Sequence, residues 1–156
     1  MQITLNYSDL YEVVKRTLSV VAKRSVDDKG NRLFDNITLG SREESIIHDY
    51  FRTAIVALAA ELRQYVTLET PATGSYTINV TLYADTNPAL ENTIVQAVKD
   101  YAVAYAVFSW FTISAPRISE KYLADANADK EYVVYQVYHR QRPPLLPNPL
   151  RHKSES

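Results

Sequence analysis

Apolar residues recur along most of this chain at the three- and four-residue intervals of helices, and the departures from that rhythm mark where other structure belongs. Leu10, Val13, Val14, Leu18 and Val21 form one stripe behind Ser8, a residue type suited to capping, while Lys15, Arg16, Lys23 and Arg24 fall off it. The spacing predicts an amphipathic helix from Ser8 to about Ser25. The next stretch, VDDKGNRLFDNITLG, holds Gly30, Gly40 and several Asp and Asn, which predicts a connection; Leu33, Phe34, Ile37 and Leu39 predict that it packs against the body. Ser41 with Glu44 reads as a capping box, and Ile47, Tyr50, Phe51, Ala54, Ile55, Leu58 and Leu62 predict a second long helix reaching about Val66.

After Gly74 the period changes to two. SYTINVTLYAD places Tyr76, Ile78, Val80 and Leu82 on one face and Thr77, Asn79, Thr81 and Tyr83 on the other, the alternation of a strand. Its partner is one of three: the 31–39 connection, the segment Leu68 to Thr70, or a neighbouring subunit, and an unpaired edge would invite oligomerisation. Asn87 and Pro88 supply the cap and first turn of a third helix, NPALENTIVQAVKDYAVAYAVFSWF, whose apolar face widens towards its C-terminal half and makes it the central helix. Pro116 breaks the path, and a fourth helix from about Ile118 to Arg142 carries Tyr122, Tyr132, Tyr135 and Tyr138. The expected fold is therefore mainly α, about four helices packed as a bundle, with a small β element near 75–84. Residues 1–142 form the body, and 143–156 an extended, proline-rich arm.

That arm changes the picture. Beside its prolines lie Leu145, Leu146 and Leu150, too apolar for a solvated tail and held extended as a docking peptide is. Arg142, Pro143, Pro144, Leu145, Leu146, Pro147, Pro149 and Leu150 are the candidate docking residues, with Arg140, Arg142, Arg151 and Lys153 able to steer it to an acidic surface. Burying three leucines yields roughly 6 kcal/mol, whereas ordering some eight residues costs roughly 1 kcal/mol or more each, less what the prolines have already restricted. A single arm binds marginally, so it suits an oligomer whose many arms act together.

Composition narrows the function classes. A chain of 156 residues, 46% hydrophobic, fits one core plus an arm. A net charge of -1 gives no overall field to gather nucleic acid or an anionic membrane. The absence of cysteine removes disulfides and thiolate metal sites. The least polar segment, Tyr101 to Pro116, is shorter than the roughly 20 residues of a membrane span and reads as a buried helix, and the N-terminal sequence lacks the pattern of a secretion signal.

Candidate chemistry is sparse. Glu44 and His48 share a helix face but no second histidine stands near them, so a capping glutamate beside a surface histidine is the favoured reading over a metal site. His139 and His152 have no nucleophile at a recognisable spacing. The three glycines make no phosphate-binding turn, and the adjacent pairs Asp27 with Asp28 and Glu43 with Glu44 read as solvated charges. Neither catalysis nor a cofactor is expected. The twelve tyrosines carry more weight: Tyr132, Tyr135 and Tyr138, interleaved with Val133, Val134 and Val137, make the fourth helix apolar on more than one face, which favours a subunit interface over pure core.

The order of a helical body, the strand at SYTINVTLYAD, the long helix NPALENTIVQAVKDYAVAYAVFSWF and an extended C-terminal arm resembles the head-tail connector (adaptor) proteins of tailed bacteriophages. The likeness lies in layout across most of the chain. It implies a small, mainly α-helical virion protein in the neck, assembled in the host cytoplasm into a homo-oligomeric ring, usually a dodecamer, beneath the portal protein. Such a ring extends the DNA channel and gives the tail or further neck proteins a platform, with DNA only as passing contents and no membrane. On this resemblance Pro143 to Leu150 would dock on the portal, Tyr132, Tyr135 and Tyr138 would make a ring contact, and the strand from Tyr76 to Tyr83 would face the channel or the tail. Two other readings stand beside it: a tail-completion or other virion ring protein, which would carry more sheet, and a cytoplasmic helical module using its tail as a polyproline ligand.

Overall fold

The computed structural model describes residues 1–25, 29–30, 39–69, 74–82 and 87–139. In chain order it holds β1 (Gln2–Asn6), α1 (Tyr7–Arg24), α2 (Ser41–Leu62), a 3-10 turn (Arg63–Tyr65), β2 (Val66–Leu68), β3 (Ser75–Val80), α3 (Pro88–Ser114) and α4 (Pro116–His139). It is mainly α: four helices pack together beside a small antiparallel sheet. The connection at 31–38, Tyr83, the expected last turn of α4 and the whole arm, Arg142 and Pro143 to Leu150 included, lie outside the described residues.

The sheet has the order β1-β3-β2. The strand expected near 75–84 is thus its middle member, with Ile3 opposite Ile78 and Leu5 opposite Tyr76 on one side and Val66 opposite Val80 on the other. Alternation does what the period predicts, for Tyr76, Ile78 and Val80 are buried with Ile3 and Leu5, and the intervening residues of β1 face out. The partner at Val66–Leu68 overlaps the segment anticipated there, while β1, at the start of the chain, is an addition. Its five residues carry the same alternation, but so short a run is ambiguous by itself. Gly74, at φ +82, turns the chain into β3 and its carbonyl accepts from the Tyr7 amide at 2.9 Å.

Helix ends depart from expectation by one or a few residues, each for a visible reason. The cap of α1 is Asn6, not Ser8: its side-chain oxygen accepts from the Ser8 and Asp9 amides at 2.9 and 3.4 Å. The cap of α2 is Gly40, not Ser41, and Glu43, not Glu44, folds back to accept from the Gly40 amide at 3.0 Å. That helix stops at Leu62, short of Val66, because Arg63 takes φ 51, ψ -121, a conformation costly for a residue with a Cβ, and the chain leaves into β2. Asn87 caps α3 by accepting from the Leu90 amide at 3.1 Å, with Pro88 in the first turn. Pro116 separates α3 from α4 but opens α4, which begins there instead of at Ile118.

The core follows from the helical stripes. α3 is in contact with every other helix and packs most extensively on α4, with Ala97, Ala102, Ala104 and Ala106 letting backbones approach around the larger Ile94, Val98, Tyr101, Val107 and Phe111. Ile47, Phe51, Ile55, Leu58 and Leu62 of α2, and Leu10, Val14 and Leu18 of α1, complete it. Val13, expected on the buried stripe of α1, is 38% exposed. Among the described residues no helix is long and apolar enough to cross a membrane.

Candidate functional site

α4 presents two apolar faces, as its composition implies. Ala126, Val133 and Val137 are buried against α3, and Tyr135, by helical spacing, stands on the opposite side, 58% exposed. Tyr132 and Tyr138 flank it, at 36% and 41% exposure. The three sequence-predicted tyrosines therefore share one outward surface without doing the same work. The Tyr138 hydroxyl donates to the Glu61 carbonyl at 2.9 Å and its ring meets Tyr65 edge-on at 5.2 Å, tying the end of α4 to the end of α2. Lys130 reinforces that junction with an ion pair to Glu61 at 2.6 Å. Tyr135 contacts the His139 ring, 3.9 Å between centroids, on its own helix.

A second surface was not foreseen from the sequence. α1 and α4 do not close over α3, and the open seam between them holds two neighbouring cavities of about 370 and 350 Å³, while a third, of about 280 Å³, lies between α1 and α3 beside β1. Val20, 46% exposed, lies along its α1 wall, and Val13 lines the third cavity. At one end stand Arg24, Arg117 and Lys121; beyond Tyr122 stand Asp100, Asp125 and Asp129. Burial, and then the charges of Asp100 and Asp125, hold the Asp129 carboxyl above the usual carboxylate range. The only sequence signal was Val20, an aliphatic residue standing off the expected buried stripe of α1.

His48 sits elsewhere, in an aromatic cluster at the meeting of α1, α2 and β3. Its ring lies 5.1 Å from Tyr7, 6.1 Å from Tyr11 and 6.2 Å from Phe51, and its Nε2 is 3.7 Å from Glu44 Oε1. Burial pushes the Tyr7 phenol well above its ordinary range, and neither its hydroxyl nor His48 Nε2 has a hydrogen-bond partner among the described residues. Among those residues no three metal-ligating side chains converge. This arrangement packs a histidine between rings; it does not set a base against a nucleophile. Comparison of the chain with protein-family models, curated proteins and solved structures finds no match.

Proposed function

We propose that this chain is a structural virion protein whose copies form a ring joining a phage portal to the tail and extending the DNA channel. The observation that carries the reading is the tyrosine surface of α4. A helix already buried on one side exposes Tyr132 and Tyr135 on a rigid support, and such aromatic surface is what protein interfaces enrich. The resemblance in layout supports it, as does the proline-rich arm, an economical way to grip a symmetric partner through many weak contacts. Helices make up 78% of the described residues, which weighs against the tail-completion reading with its greater share of sheet.

Light scattering over a concentration series, with negative-stain images of the heaviest fraction, tests the proposal. Rings that bind portal, and lose that binding when the chain is cut after Gln141, are the expected result. A protein that stays monomeric or dimeric at high concentration, with portal added as well as without it, sinks the proposal and favours a cytoplasmic binding module.

A further inference from the structure

We infer that β2 of one copy adds in parallel to the free edge of β1 in the next, an inference that rests on the ring reading and names the two surfaces that meet. Backbone bonding shows which edge groups are open. Met1 and Val80 bond each other in both directions, at 2.9 and 2.8 Å, and the Tyr7 amide donates to the Gly74 carbonyl, so by alternation Ile3 and Leu5 also turn towards β3. The Gln2, Thr4 and Asn6 amides therefore point away from the sheet. On β2 the Glu69 amide donates to Thr77 and the Thr81 amide to Tyr65, so Thr67 faces β3 while Val66 and Leu68 turn outward. The Val66 amide is taken by the Arg63 carbonyl; the Val66 carbonyl and both Leu68 groups have no partner among the described residues.

Neither edge is guarded. Gln2, Thr4 and Asn6 on one, and Val66, Thr67 and Leu68 on the other, include no charged residue and no proline, and no bulge interrupts either register. Strands that stay at an edge carry such devices, and one without them accepts a further strand.

The two edges also fit each other. β1 and β2 both run antiparallel to β3, hence parallel to one another, and they bound opposite sides of one sheet. Joining the β2 side of one copy to the β1 side of the next makes a parallel pair and keeps every core-facing side chain on the same face. Joined antiparallel, these two edges would set the helices of neighbouring copies on opposite faces. With Thr67 beside Thr4, the Thr4 and Asn6 amides donate to the Val66 and Leu68 carbonyls and the Leu68 amide to the Thr4 carbonyl, which uses every open group of β2. Leu68 then stands beside Leu5, at the cavity of about 280 Å³ that opens along β1 at Thr4 and Asn6. Leu10, Val13 and Val103 give that cavity aliphatic surface, and Asp9, Lys99 and Asp100 give it charge of both signs. An apolar side chain arriving there covers Val13, left 38% exposed in the single chain. Each molecule has one edge of either kind, so the contact is heterologous and repeats head to tail until it closes, which is how a ring is built.

The absence of native cysteine makes the test clean. In the double variant Thr4→Cys with Thr67→Cys, both at exposed positions, the paired strands bring the two Cα atoms to about 5 Å, within disulfide reach. Mild oxidation of the assembled full-length protein should give a ladder of covalent multimers ending at the ring, absent from either single variant. Rings of unchanged mass that give no ladder overturn the edge contact and leave the ring reading standing. A disulfide dimer from Thr4→Cys alone shows β1 paired with itself across a two-fold axis and also overturns the contact. A protein monomeric at every concentration, with portal added or without it, overturns both readings. In parallel, Thr4→Pro deletes one outward amide and no bond to β3, so it should keep its circular dichroism and weaken association by about tenfold or more. Association unchanged by that variant overturns the contact as well.

Discussion

Tyr135 and Tyr138 lie one helical turn apart on the same exposed surface, yet their removal should have opposite consequences. The last carbonyls of α2 lack helical partners, and one of them, Glu61 O, takes its hydrogen bond from the Tyr138 hydroxyl at 2.9 Å. Tyr138→Phe deletes that bond alone; because water reaches a residue 41% exposed, the loss is at the lower end, about 0.5–1 kcal/mol. Tyr138→Ala also removes the edge-on contact with Tyr65, worth about 0.5–1.5 kcal/mol, for roughly 2 kcal/mol in all. At this chain length that lowers Tm by about 4–8 °C. Among the described residues Tyr135 makes no bond to another element, so Tyr135→Ala should change stability by less than about 0.5 kcal/mol while weakening assembly. Urea unfolding followed by circular dichroism, below the association concentration, measures the first effect, and light scattering the second. Should Tyr135→Ala destabilise the monomer as much as Tyr138→Ala, or Tyr138→Phe prove neutral, the division of labour along α4 is wrong.

Two further outcomes are expected. Arg63→Gly relieves a positive-φ conformation that glycine adopts without penalty and should raise stability by about 1 kcal/mol, seen as a higher urea midpoint; a lower midpoint would show that the Arg63 side chain outweighs the backbone term. In alkali, burial and then the neighbouring Tyr105 raise the Tyr101 phenol to about 12, and Tyr7 is raised further, mainly by burial. An unfolded chain ionises these phenols near pH 10 while the native state holds them neutral, so their stabilisation is complete below pH 10 and lost as pH climbs towards 12. Stability that stays level across that interval, with Tyr101→Phe showing the same profile as wild type, would refute the burial argument.

The helices were legible because each shows the core a stripe of large aliphatics, and the period survives whatever the ends do. Their termini were not, since Asn6 and Ser8, or Gly40 and Ser41, are near-equal candidates until the chain's path decides which amides need a partner. Two of the three strands were obscured for a different reason: Gln2–Asn6 and Val66–Leu68 owe their conformation to β3, which lies far along the chain from β1. Of the candidate surfaces, the tyrosines could be read because aromatics on two helix faces exceed what one core needs. The seam could not, for Val20 and Val21 look alike in sequence, and only the spacing of α1 from α4 leaves the first exposed.

The placement of β3 between β1 and β2, together with α3 as the helix all others touch, fixes the order in which the chain can fold during synthesis. β1, α1 and α2 leave the ribosome before the elements they pack on and must wait for residues 75–80 to complete the sheet and for 88–114 to cover Phe51, Ile55 and Leu58. Within the first half α1 and α2 meet only through the small cluster of Tyr7, Tyr11, His48 and Phe51, so most of the core forms late, and a chain arrested before α3 presents bare apolar stripes to chaperones and to its own kind.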